Sequence, residues 1–179
     1  MKRLDVEFRD AKVDGSRLTG TAVVFGQPTR IGRGMEQIAP GALDQALKGG
    51  DVRALLNHNP ERLLGRQSSG TLRMNADSVG LHFEIDLPDT SYANDLRELV
   101  SRGDLSGASF GFIPGKVEDR DSIVTHTEIA ELIDVSPVTF PAYETTSVSL
   151  RSEDRARSVS RSQVLFARHR ALHSPKEGK

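Results

Sequence analysis

The residues of this 179-residue chain that could carry nucleophilic chemistry are five histidines and Ser109, which has a glycine two residues away on either side. Ser109 lies in the stretch GDLSGASFGFIPG, and a serine hydroxyl becomes a good nucleophile when a neighbouring base, most often histidine, takes its proton. The letters GASFG match the G-x-S-x-G nucleophile elbow, which requires a helix directly after the serine. The glycines and proline that follow Ser109 are poor helix formers, so we predict a strand instead.

An extended strand around Ser109 would divide its side chains between two faces. Ala108, Phe110 and Phe112 would anchor one face in the core. Ser109 would stand between Gly107 and Gly111 on the other face, exposed to a substrate backbone because glycine has no Cβ to block the approach. This arrangement favours a nucleophile over a packing serine.

His58 is the best candidate for the base. It lies in a tight turn at 57–60 that follows a predicted buried strand over 52–56, so rigid structure would hold its backbone while its ring stays accessible. The other histidines are weaker candidates. His82 lies on a polar strand face, His126 follows a charged turn, and the remaining two lie near the C-terminus: His169 and His173.

A third residue should orient the histidine, and a carboxylate does this well. The block ELIDVSPVTFPAY offers Glu131 and Asp134, with His126 and Glu128 just upstream. Strand alternation over 129–136 would place Asp134 with Leu132 and Ser136. It does not decide which of the two carboxylates faces the site.

The elements that must position these residues are mostly strands. Alternating apolar residues and turn dipeptides predict strands near 3–9, 17–25, 52–56, 108–113 and 123–140, and a hairpin over 70–88. Helices are predicted after Pro40 and over 89–103, and a charged turn at 118–122. We therefore expect an α+β fold, a mostly antiparallel sheet or barrel with a few helices.

Composition narrows the chemistry. The chain has no cysteine, which excludes disulfides, thiolate catalysis and cysteine-ligated metals. It has no phosphate-binding glycine motif and no histidine pair at ligand spacing in its folded part, so we expect neither cofactor nor metal. The N-terminus lacks a secretory signal and no stretch is apolar enough to cross a membrane, so we expect a cytoplasmic protein with no membrane partner.

Charge divides the chain at about Leu150. Residues 151–179 carry eight basic and three acidic side chains, a net of +5, which leaves −6 on residues 1–150 because the whole chain carries −1. We expect a folded domain over 1–150 and a basic, flexible tail over 151–179. A basic tail suits either nucleic acid or an acidic partner protein. Of the two, we do not expect nucleic acid to be the partner.

Five blocks, taken in order, resemble one protein family. GTAVVFGQPTRIGRGMEQIAPGAL, VRALLNHNPERLLGR, GLHFEIDLPDT, LVSRGDLSGASFGF and ELIDVSPVTFPAYETT are similar to the prohead maturation proteases of tailed bacteriophages. The resemblance implies that Ser109 is the nucleophile and His58 the general base. Because that family is similar to the herpesvirus capsid-assembly proteases (assemblins), it also implies a small antiparallel β-barrel ringed by helices.

The resemblance also bears on the third residue. Asp134 lies nearest the family's acidic residue before a Val-Ser pair, although that position is more often Glu. We therefore predict Asp134 as the orienting carboxylate, with Glu131 next.

The activity implied is that of a serine endopeptidase that cleaves capsid and scaffold proteins, and itself, inside the immature head in the host cytoplasm. The resemblance implies the major capsid protein and scaffold segments as partners. It leaves open whether the chain forms a homo-oligomer. One alternative is a non-enzymatic capsid or scaffold component. A weaker one is an α/β-hydrolase esterase, whose acid and histidine would both have to follow the serine.

Overall fold

The computed structural model of the chain describes residues 2–7, 12–14, 16–31 and 33–140. All of these residues belong to one unit that spans Met1–Tyr143. The expected boundary at Leu150 and the expected tail over 151–179 lie outside the described residues.

The described part holds thirteen strands and two α-helices. The strands are β1 (Lys2–Glu7), β2 (Lys12–Asp14), β3 (Arg17–Val24), β4 (Thr29–Ile31), β5 (Gly34–Ile38), β6 (Arg53–Leu55), β7 (Leu63–Arg66), β8 (Leu72–Ala76), β9 (Gly80–Asp86), β10 (Gly107–Pro114), β11 (Val117–Arg120), β12 (Ile123–His126) and β13 (Ile129–Val138). The helices are α1 (Ala46–Gly49) and α2 (Ser91–Ser101), and one 3₁₀ turn covers Leu56–His58.

The strands form three sheets. The five-stranded sheet has the order β1-β10-β13-β6-β7, and the two four-stranded sheets have the orders β11-β12-β5-β4 and β2-β3-β9-β8. All pairs are antiparallel except β13 with β6 and β12 with β5. The expected mostly antiparallel fold with few helices is therefore present. Among the described strands each sheet keeps two open edges, so they form no closed barrel.

All three sheets contribute to one apolar core. Phe110 and Phe112 are fully buried on β10, with ring centroids 5.2 Å apart in a stacked arrangement. Leu81, Phe83 and Ile85 of β9 join the same core, as their alternation predicts. The central strands β10 and β13 are therefore anchored by large side chains, which gives the residues on them fixed positions.

Two local predictions needed correction. The helix after Pro40 is limited to Ala46–Gly49, because turns occupy the residues before it. The charged segment 118–122 is largely strand β11, and its turn is reduced to Asp121 and Ser122, both with positive φ. Pro137 lies within β13, beyond the last residue that pairs with β6, and is opposite Ala108 of β10.

Within the described residues, no helix combines the length and apolar character that a membrane crossing needs.

Candidate active site

The site is built on the two central strands of the five-stranded sheet. β10 and β13 run antiparallel, with Ser109 opposite Ser136 and Gly111 opposite Asp134. Residues directly opposite each other in such a pair share a face of the sheet. Ser109, Gly111, Asp134 and Ser136 therefore form one four-residue patch, which we call the site face.

A β-bulge separates Leu132 from the face that carries Asp134. The register shifts between Gly111 and Phe112, so that Phe112 lies opposite Leu132 rather than Ile133. Leu132 therefore packs in the core while Asp134 does not share its face. The sequence expectation that put Asp134 and Leu132 together was wrong, because a bulge adds one residue and interrupts strict alternation.

His58 reaches the site face from the neighbouring strand. β6 runs parallel to β13, with Arg53 opposite Asp134, and ends in the 3₁₀ turn that contains His58. Asn57 and His58 both have left-handed backbone conformations, with φ of 54° and 55°. Such a pair of non-glycine residues is costly and turns the chain sharply at the end of the strand.

Asn57 ties this turn to the end of β13. Its side-chain oxygen accepts a hydrogen bond of 2.8 Å from the backbone N–H of Thr139, and its side-chain N–H₂ donates to the Thr139 hydroxyl at 3.2 Å. Asparagine also tolerates the left-handed region better than most residues. Asn57 therefore fixes the position of the turn that carries His58.

The three predicted side chains form one hydrogen-bonded chain. The distance from His58 Nε2 to Ser109 Oγ is 2.7 Å, and from His58 Nδ1 to Asp134 Oδ1 it is 2.5 Å. Since a carboxylate only accepts, Nδ1 carries the hydrogen and Nε2 is left to accept from the serine hydroxyl. This is the arrangement in which an imidazole can take the proton of an attacking serine.

Ser109 is buried rather than exposed, which corrects the sequence expectation. None of its surface is accessible, and only 8% of the His58 side chain is exposed. The reason is tertiary: β1 pairs with β10 on one side, with Asp5 opposite Ser109, β13 pairs on the other, and the His58 ring contacts the hydroxyl. A substrate must therefore reach the serine from the face of the sheet, not from its edge.

Glu131 lies away from this cluster. It is exposed and opposite Ile113, two pairs along the strand from the Gly111–Asp134 pair. Glu128 is engaged elsewhere: it accepts a hydrogen bond from Lys116 at 2.6 Å, and this bond raises the pKa of the lysine. Of the two candidate carboxylates, only Asp134 contacts His58.

His126 and His82 have other partners. His126 is fully buried, and its Nε2 lies 2.7 Å from a carboxylate oxygen of Glu36. His82 lies between the Thr21 hydroxyl and Asp77, at 3.0 Å from each. The pKa of Asp77 is lowered chiefly by hydrogen bonds from the backbone N–H groups of Gly80 and Val79. His169 and His173 lie outside the described residues.

The elbow interpretation of GASFG fails on the observed backbone. β10 continues as a strand from Gly107 to Pro114, so Ser109 lies within a strand and no helix follows it. The α/β-hydrolase esterase alternative depends on that helix and is not supported.

Sequence reasoning missed two contributors to the site. Ser136 donates a hydrogen bond of 2.6 Å to Asp134 Oδ1, and Asn57 holds the histidine turn. The i, i+2 spacing of Asp134 and Ser136 placed them on one face, and this was the available signal for Ser136. The partner of Asn57 is 82 residues away along the chain, so no local pattern could reveal it.

Gly111 should be required for the histidine to reach Asp134. Ser109 and Asp134 occupy diagonal positions of the site face, so we expect the imidazole that joins them to pass beside Gly111. We expect Gly111→Ala to displace the ring and reduce activity by about 10²-fold, the usual cost of a misplacement near 1 Å.

The matched control for Gly111→Ala is Gly49→Ala, where an added Cβ would meet no atom within 4 Å. Both variants are compared with the parent protein by thermal unfolding and by the rate at which a serine-reactive fluorophosphonate modifies Ser109. Equal rates for the parent and a folded Gly111→Ala protein would show that the ring does not pass beside Gly111.

Among residues 16–31 and 33–140 no group of three His, Asp or Glu side chains could hold a metal ion.

Comparisons with known proteins bear on the family and the fold of the chain. No curated protein matches the chain. Among solved structures, the bacteriophage T4 capsid assembly protease gp21 has a TM-score of 0.50 and 12% identity, over 79% of this chain and 100% of that one. At this identity the likeness concerns the fold alone. The family model for caudovirus prohead serine proteases matches residues 2–160. The chain therefore belongs to the caudovirus prohead serine protease family and is a serine protease of phage capsid maturation.

Proposed function

We propose that the chain hydrolyses peptide bonds with Ser109 as nucleophile, His58 as general base and acid, and Asp134 as the orienting carboxylate. The observation that carries the proposal is the continuous chain from Ser109 through His58 to Asp134, with contacts of 2.7 and 2.5 Å. Its burial also matters, because a site from which water is largely excluded strengthens each of these interactions.

The reaction proceeds in two steps. Ser109 Oγ forms a bond to the scissile carbonyl carbon while His58 Nε2 takes its proton, and the imidazolium is stabilised by Asp134. The C–N bond then breaks as His58 returns the proton to the leaving amine, which leaves an acyl group on Ser109. A water molecule, deprotonated by His58, then attacks this ester. The bond to Ser109 Oγ breaks, His58 returns the proton to that oxygen, and the acid and the free serine are released.

The substrates that fit this family are capsid and scaffold proteins, together with the enzyme itself. We place the reaction inside the immature head in the host cell, with the major capsid protein as partner.

We also retain the expected likeness to the herpesvirus assemblins. It is supported by the mostly antiparallel strands and by the single core to which all three sheets contribute.

Two experiments test the proposed function. A fluorophosphonate reacts with an activated serine whatever the natural substrate is, so mass spectrometry of the labelled protein should identify Ser109 as the modified residue. Co-expression with a major capsid protein from the same genome, followed by N-terminal sequencing of the shell protein, should reveal a new N-terminus. A folded protein that does neither would contradict the assignment.

We further propose that residues 1–150 are sufficient for folding. Every described element ends by Val138, and the sequence beyond Leu150 loses strand patterning and becomes basic. A chain truncated after Leu150 should therefore keep the circular dichroism spectrum of the full chain, with a melting temperature within a few degrees. An insoluble or unfolded truncated protein would show that the boundary is wrong.

A further inference from the structure

Ser136 interacts with the same oxygen atom that holds the histidine. Its hydroxyl donates to Asp134 Oδ1 at 2.6 Å, while His58 Nδ1 lies 2.5 Å from that oxygen. Neither residue is open to solvent: Ser136 has no exposed surface and Asp134 is 1% exposed. One carboxylate oxygen is thus held by two donors that come from different elements.

We propose that Ser136 is a positioning residue of the reaction, whose hydroxyl fixes Asp134 in the orientation that His58 needs. This inference rests on the proposed function. An aspartate side chain can rotate about its terminal bond, which is a broad torsion with no sharply preferred angle. A donor on the same strand, two residues away, limits that rotation because the strand backbone is held by β10.

The hydroxyl of Ser136 also supplies a partner that a buried carboxylate requires. A buried charge is costly unless it is hydrogen-bonded, and bonds to an ionised acceptor are the strong ones. When His58 takes the proton of Ser109, the imidazolium that forms depends on a charged and correctly placed Asp134. Removal of the Ser136 hydroxyl should therefore reduce the rate of the chemical step more than it changes binding.

Ser136 is not positioned as a second nucleophile. It lies directly opposite Ser109 in the β10–β13 pair, but its hydroxyl donates to Asp134. The basic nitrogen of the site, His58 Nε2, contacts Ser109 instead. The two serines therefore have different tasks, and the structure distinguishes them by their partners.

The main test is Ser136→Ala, which removes one oxygen atom and adds no volume. We expect the rate of fluorophosphonate labelling at Ser109 to fall by about 10- to 100-fold, the usual effect of losing a hydrogen bond that orients a functional group. On a processed substrate, kcat should fall while KM stays unchanged. The low-field proton resonance of the His58–Asp134 hydrogen bond should shift or broaden.

Two further variants separate the hydroxyl from side-chain volume. Ser136→Thr keeps the hydroxyl, whereas Ser136→Val has the same shape without it. We expect the Thr variant to label within a few-fold of the parent protein and the Val variant to label as slowly as Ser136→Ala. If the added methyl group unfolds both, the Ala variant and its proton resonance decide the question.

The outcomes separate this inference from the proposed function. If the parent protein is labelled at Ser109 and Ser136→Ala is labelled at the same rate with an unchanged proton resonance, Ser136 is merely structural and the inference is wrong. If the folded parent protein is not labelled at Ser109, the proposed function itself fails. The His58→Ala variant should lack the low-field resonance, which identifies the proton being observed.

Discussion

Ser109→Ala should abolish fluorophosphonate labelling and capsid processing while the protein stays folded. The substitution removes the oxygen that we propose forms the acyl bond, and loss of a serine nucleophile costs on the order of 10⁶-fold in turnover. Stability should change little, since Ala108 and Phe110 on the core face are untouched and alanine fills nearly the same space. The measurement is labelling and N-terminal sequencing of the shell protein, beside thermal unfolding.

Ser101→Ala is the matched control for this variant. Ser101 is an exposed serine at the end of α2, and its hydroxyl contacts only the backbone oxygen of Glu98. The Ser101→Ala protein should be labelled at Ser109 and should process substrate, both at the rate of the parent protein. Normal processing by a well-folded Ser109→Ala protein would remove Ser109 from the mechanism.

Asp134→Asn should reduce turnover by up to about 10⁴-fold, which is the cost of losing the acid of a serine-histidine-carboxylate triad. An amide can offer an N–H₂ group where the carboxylate accepts, so His58 Nδ1 would no longer need to carry the hydrogen. Nε2 would then carry it and could not accept the proton of Ser109. The measurement is the rate of labelling and of cleavage, at equal folded concentration.

Glu131→Gln is the corresponding control, because it makes the same chemical change at an exposed position of the same strand. We expect it to retain the parent rate. If Asp134→Asn cleaves within a few-fold of the parent protein, or if Glu131→Gln is the slower variant, the carboxylate has been assigned to the wrong residue.

The local sequence was sufficient for the elements that carry the site. Alternation in the segment around Ser109 placed Phe110 and Phe112 in the core, and the same reasoning found the β8–β9 hairpin and α2. These features depend on residues near one another in the chain, where propensity and periodicity act directly. The order of the motif blocks also led to Ser109 and His58 as the pair of interest.

Tertiary structure decided the rest, because the deciding contacts join distant parts of the chain. The bulge in β13 put Leu132 in the core and left Asp134 on the site face with Ser136, and no alternation rule could foresee where one extra residue would be accommodated. The pairing of β1 with β10 buried Ser109, and the parallel pairing of β6 with β13 brought His58 across to it. The sequence determined which groups could react, and the packing of strands determined which of them meet.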